Sequence, residues 1–237
     1  MRPMRSMGGG GFGFAGVESM AAKLAIALVG VSVLSLVTGA MGALLLLSPE
    51  GVLTRLWLWQ PFTYGFIGQG PLGIIFGAII LYSIGGSLEQ VWGPRRLLWV
   101  LWGGTVLAGI LTSLLAFVVP LPSGYAGGFV MGSIAWVCYG LFIGRGQANF
   151  WGIPVTGNVL ALIGAGFVVL NGLTSSWRVV VPELFGLGIA FVYMRGGSPR
   201  HLWLRLQHWR LQRQLRGRSK HLRVVSQERP DSDRFLN

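Results

Sequence analysis

Leu88-Glu89-Gln90-Val91-Trp92-Gly93-Pro94-Arg95-Arg96 is the stretch on which the fold turns. An apolar segment, about 66–84, precedes it, and another, about 97–119, follows it. Each has roughly the 20 residues that a helix rising about 1.5 Å per residue needs to cross the hydrocarbon core of a bilayer. With so short a connection the two helices must be antiparallel neighbours. Gly93-Pro94 supplies the reversal, because glycine takes backbone angles other residues avoid and proline can open a helix but not sit inside one. Arg95 and Arg96 then anchor the watery ends of both spans, and Trp92 belongs in the headgroup layer. Glu89 is placed to accept a hydrogen bond from nearby backbone or from an arginine.

Further apolar stretches cover about 21–47, 125–143, 155–173 and, shorter, 179–194. Hydrophobic residues make up 52% of the 237, charged residues only 11%, and mean hydropathy is +0.62. One soluble domain of this size cannot bury so much apolar surface, so soluble classes are excluded. The expected fold is an all-α membrane protein with six transmembrane helices. It divides into a glycine-rich N-terminal segment (1–20), a six-helix membrane domain (21–194) and a basic tail (195–237). The first stretch is longer than a signal-peptide core and has no clean cleavage site, so it is expected to stay as an anchor. Among the 38 glycines, Gly73/Gly77, Gly128/Gly132 and Gly140/Gly144 have the small-xxx-small spacing that lets membrane helices approach closely. That spacing leaves a homo-oligomer open.

Charge orients the bundle. Seventeen basic residues fall on one side of six spans, and only Arg55 and Arg178 on the other. The positive-inside rule therefore places both termini in the cytoplasm. Residues 199–218 form a basic helical pattern with Leu204, His208, Leu211 and Leu215 at helical spacing. Arg205, Arg210, Arg213 and Arg216 are expected to rest on anionic lipid headgroups. A protein partner is the second reading for this tail, and nucleic acid is not expected, because topology already accounts for the charge. Residues after Val225 turn polar and are expected to be disordered.

The segment between the first two spans, 49–64, holds Trp57, Trp59 and Tyr64 with only Glu50 and Arg55 charged, a composition suited to the membrane interface. It continues as Trp59-Gln60-Pro61-Phe62-Thr63-Tyr64-Gly65-Phe66. Together with Glu89, Trp92, Gly93, Arg95 and Arg96 in the second motif, this resembles the rhomboid superfamily, in which an aromatic first loop precedes a helix that ends in a Leu-Glu-x-x-Trp-Gly-x-x-basic turn. The resemblance covers about 21–194. It implies a six-helix rhomboid-like bundle, and in active members an intramembrane serine protease.

The chemistry that the resemblance implies is missing residue by residue. The family nucleophile, in a Gly-x-Ser-Gly motif opening the fourth helix, falls on Gly127 of Tyr125-Ala126-Gly127-Gly128. The family histidine of the sixth helix falls on Glu183, followed by Gly186 and Ala190. The oxyanion-binding positions of the second helix fall on Gly68 and Gly77. No histidine precedes His201, and His208 and His221 also lie in the tail. A serine without a base is a poor nucleophile. Ser123 or Ser133 would have to replace the missing serine, and Glu183 would have to serve as base, although its place beside Pro182 at a helix start reads more simply as a solvated interfacial carboxylate. Asn158 and Asn171 are expected to bond between helices. Cys138 sits alone in an apolar run, and no metal cluster, phosphate loop or other cofactor site can be drawn, so no cofactor is expected.

These readings give a rhomboid-like pseudoprotease that binds transmembrane segments of client proteins without cutting them, not an enzyme. Trp57, Trp59, Phe62, Tyr64, Gly128 and Glu183 are the candidate client-binding residues, and glycines at the old catalytic positions are expected to leave a smooth apolar groove. The alternatives are an atypical active protease using Ser123 and a structural scaffold acting through the basic tail. The expected location is a bacterial cytoplasmic membrane.

Overall fold

The computed structural model describes residues 18–150 and 153–196. Residues 1–17 of the glycine-rich start and 197–237 of the basic tail, with Arg205, Arg210, Arg213 and Arg216 and all three histidines, lie outside the described residues. A boundary between compact units falls after Arg195.

The described chain is mostly helical. Its six principal helices are α1 (Met20–Thr38), α2 (Gly70–Trp92), α3 (Pro94–Leu115), α4 (Gly128–Ile143), α5 (Gly157–Thr174) and α6 (Val181–Arg195). Four of them, α1, α2, α3 and α5, are long and apolar enough to cross a membrane. At 16 and 15 residues, α4 and α6 are shorter, about 24 Å at the usual helical rise. Helices α2 and α3 each contain one wider π-helical turn, Leu81–Gly85 and Trp99–Gly103. The shared core joins Leu28 of α1, Leu81 and Leu88 of α2, Leu101 of α3, and Met131 and Ile134 of α4.

The turn read first in the sequence does what its residues require, and more. Gly93 ends α2 at φ +79°, ψ 162°, a region open essentially to glycine alone, and Pro94 opens α3. Arg96 lies over the rings of Trp92 and Tyr193 at 5.1 and 5.5 Å, and its Nε donates to the Tyr193 hydroxyl. Trp92 meets Tyr193 of α6 and Phe142 of α4 edge-on, at 5.8 and 6.3 Å. Arg95 stays exposed. Glu89 reaches back to the first helix: its two carboxylate oxygens accept from the backbone N–H groups of Met20 and Ala21 at 2.9 and 2.8 Å. Ser19 accepts from Ala22 at 3.1 Å, so three of the four free donors at the start of α1 are satisfied.

The predicted boundaries shift: the second span runs over Gly70–Trp92, the fourth starts at Gly128, and the first and fifth also shorten. Helix α1 stops at Thr38, not at 47, because Gly39 turns the chain at φ +53°. A short helix, Ala40–Ala43, follows, and then Leu47 pairs with Tyr125 through backbone bonds of 3.0 and 2.9 Å. Helix α5 begins at Gly157, not at 155, because Val155 and Thr156 belong to an antiparallel hairpin of β1 (Gln147–Phe150) and β2 (Ile153–Thr156). Of the three glycine pairs, Gly140 shows the closest approach: a Cβ there would stand 2.5 Å from the Ala161 nitrogen of α5.

Candidate functional site

Between α1 and α2 the chain makes a helical turn at Pro49–Thr54, another at Gln60–Thr63, and a tight 3-10 turn at Tyr64–Phe66. Ser48 caps the first, and Pro49 and Pro61 open the first two. Gln60, fully buried, stitches the segment together: its Oε1 accepts from the Ser48 backbone at 2.9 Å and its Nε2 donates to the Leu44 carbonyl at 3.3 Å. Sequence reasoning passed over this glutamine, because nothing local marks which backbone it would meet.

Past Gln60 the segment runs into the start of α4. The backbone N–H of Gly127 donates to the Tyr64 carbonyl at 2.8 Å, and that of Gly128 to the Ile67 carbonyl at 2.9 Å. Free donors at a helix start are the usual means of holding an oxyanion; here both are already occupied by the first loop. The Tyr64 side chain completes the closure. It is fully buried, and its hydroxyl donates to the Thr105 carbonyl of α3 at 2.5 Å. Desolvation pushes the phenol well above its ordinary pKa, so it remains a neutral donor. A Cβ at Gly127 would lie 2.5 Å from ring carbons Cδ2 and Cε2, and one at Gly109 would lie 2.7 Å from Cε1 on the opposite edge. The ring is thus held between two glycines that have no room for a side chain.

The second-helix positions join this cluster. Gly68 donates its N–H to Ser32 Oγ at 2.8 Å, and a Cβ at Gly77 would stand 3.4 Å from Leu28 and 4.0 Å from the Gly128 carbonyl. Leu28 also stands 2.9 Å from where a Gly128 Cβ would be. Gly68, Gly77, Gly127 and Gly128 all border this packing, and the space among them is filled by Tyr64, Ile67 and Leu28. The smooth groove expected among these glycines is not there.

Glu183 also differs from expectation. It is 5% exposed, not a solvated interfacial carboxylate, and both its oxygens accept from Asn171 Nδ2 of α5, at 3.4 and 3.5 Å. Asn171 is thereby a link between helices, as its place on the fifth span suggests. Of the candidate client-binding residues, Trp59 and Phe62 are about half exposed and Trp57 is partly covered, its ring 6.1 Å from Trp59. Phe62 packs 5.9 Å from Trp102. Tyr64, Gly128 and Glu183 are buried and present no surface to a partner.

The alternative serines have other occupations. The Ser48 hydroxyl donates to Ser123 Oγ at 3.1 Å in an exposed position, and Ser133 donates to its own helix at Val130 O, 2.9 Å away. Neither has a titratable side chain among its hydrogen-bond partners.

An open space lies beside the closed cluster. A cavity of about 820 Å³ runs between α2, α4 and α5, walled by Phe76 and Ile80, by Phe129 and Ser133, and by Phe167 and Asn171. Its lining is almost wholly apolar, and neither hydropathy nor any motif located it in the sequence.

No curated protein and no solved structure matches the chain. The family model described as "Eukaryotic integral membrane protein (DUF1751)" matches residues 22–195. That description is eukaryotic and gives no support to the bacterial inner membrane expected from the sequence. The match spans all six principal helices, and the protein is an integral, multi-pass membrane protein that belongs to this eukaryotic family.

Proposed function

We propose that the protein is a rhomboid-like pseudoprotease that holds transmembrane segments of other membrane proteins without cutting them. The observation that carries this reading is the pairing of a blocked centre with an open groove. Tyr64 occupies the ground where a nucleophile would stand, while the cavity between α2, α4 and α5 leaves about 820 Å³ of apolar space beside it. A chain that kept the packing of such a bundle but lost its nucleophile, base and oxyanion donors retains only the capacity to bind. In this reading all six helices cross the bilayer, α4 and α6 doing so at a thinner point of the bundle, and both termini face the cytoplasm. Trp57, Trp59 and Phe62 lie in the headgroup layer, and the tail arginines rest on anionic lipid.

The test is reconstitution of the full chain in liposomes with a transmembrane reporter, beside an active rhomboid protease as control. Intact reporter next to a cleaved control, with photocrosslinks from Phe76 or Phe167 to the reporter, is the expected result. Cleavage fragments that disappear in Ser123→Ala would instead establish a protease with Ser123 as nucleophile.

A further inference from the structure

The groove between α2, α4 and α5 is apolar, and that alone gives a client helix no reason to leave the lipid. Hydrocarbon tails are as apolar as leucine, so in a bilayer close packing and hydrogen bonds must decide association. Besides the indole of Trp136, three polar side chains reach this groove: Ser83, Ser133 and Asn171. The donors of all three are spent. Ser83 donates to the Ile79 carbonyl at 2.6 Å, Ser133 to Val130 O at 2.9 Å, and Asn171 Nδ2 points at both Glu183 oxygens. The carboxylate fixes the amide's orientation, since its oxygens accept.

What remains on these three side chains is acceptor capacity. Each serine oxygen keeps lone pairs. Asn171 Oδ1 receives one long bond, 3.4 Å, from the exposed Ser175 hydroxyl. Behind Asn171 lies Glu183, buried and with no ion pair among the described residues. Asn171 sits in the last turn of α5 and Glu183 in the first turn of α6, so their oxygens lie at the end of the bundle where α2 and α4 begin, with Ser133 and Ser83 deeper along the groove.

From this we infer that the groove's occupant is a transmembrane helix carrying a hydrogen-bond donor, the side chain of lysine, asparagine or glutamine, at the depth of Asn171. The inference rests on the client-binding reading and names the class of client. A donor within a membrane helix is costly where it finds no acceptor, so such a helix gains from an acceptor site in a way that a leucine helix does not. Discrimination thus comes from the few polar groups, and the apolar wall supplies shape.

The experiment uses the full-length protein in phosphatidylcholine vesicles, with a photocrosslinking phenylalanine analogue replacing Phe76 or Phe167, or replacing Val37 on the exposed side of α1 as the control. Three synthetic transmembrane peptides are compared: leucine and alanine only, the same with one asparagine, and the same with one lysine, both placed near one end. Crosslinking of the two donor peptides is expected to exceed that of the plain peptide by roughly 3- to 20-fold, the range that one interhelical hydrogen bond supplies. Asn171→Leu should bring all three to the same level. Equal crosslinking of the three peptides by the wild-type protein overturns the donor preference but leaves client binding intact. No crosslinking above the Val37 control overturns both. A preference retained in Asn171→Leu overturns the assignment to Asn171. The wild-type peptide comparison decides the matter even where the variant does not fold.

Discussion

Gly127→Ser, the substitution that would put a serine at the nucleophile position the rhomboid resemblance implies, should unfold the protein sooner than it supplies any chemistry. Its Cβ would stand 2.5 Å from two carbons of the Tyr64 ring, against a normal carbon contact of about 3.5–4.0 Å. The ring must therefore move by about an ångström, yet Gly109 closes its far edge and the Thr105 carbonyl tethers its hydroxyl. Overpacking of this kind costs about 1–3 kcal/mol. Breaking the buried hydroxyl bond adds about 1–3 kcal/mol. We expect a loss of roughly 3 kcal/mol, read as a lowered unfolding midpoint of the purified protein in detergent by circular dichroism. The companion variant isolates the cause. Tyr64→Ala alone should cost about 3–5 kcal/mol, as aromatic truncations in a core do. In that background Gly127→Ser should add less than about 0.5 kcal/mol, because the clash has gone. A wild-type midpoint for Gly127→Ser, or penalties that simply add in the double variant, would refute the reasoning.

The double variant Gly127→Ser/Glu183→His should cleave no reporter in liposomes, since the Gly127 and Gly128 donors stay bound to the first loop; fragments on a gel would show that the loop can withdraw. Glu89→Ala should destabilise the fold by about 1.5–3 kcal/mol through the loss of two charge-assisted bonds, with Glu89→Gln recovering part of it, both seen as midpoint shifts. Gly93→Ala forces a side chain into φ +79°, ψ 162°, and should cost about 1–3 kcal/mol by the same measurement. Ser123→Ala should stay within about 0.5 kcal/mol of wild type, because it removes only an exposed contact with Ser48.

The reversal at Gly93-Pro94 and the helices on either side of it were legible because each signal is local: hydropathy, a glycine, a proline and a pair of arginines. The end of α1 was not, since residues 39–47 are as apolar as the helix before them and only the backbone at Gly39 marks the stop. The motif resemblance drew attention to Gly68, Gly77, Gly127 and Gly128. What fills the space among them was not legible, because Tyr64 reads as one more interfacial aromatic until Gly109 and Gly127 are seen on its two edges. Gly109 carries no distinguishing mark among 38 glycines, and Gly127 is marked only by its place in a motif that says nothing of Tyr64. Glu183 beside Pro182 looks solvated from its neighbours in the chain, and its burial depends on Asn171, which arrives from another helix.

The bond between Glu89 and the start of α1 carries a consequence for biosynthesis. Met20 and Ala21 leave the ribosome 69 and 68 residues before the side chain that caps them. During that interval the first helix has two backbone donors with no protein acceptor, and they must be met by water or lipid headgroups at the membrane surface. Only when the second helix is in place, and its end has returned to the same surface, does the first helix acquire its permanent terminus. The order of synthesis thus makes completion of the first helix an outcome of inserting the second.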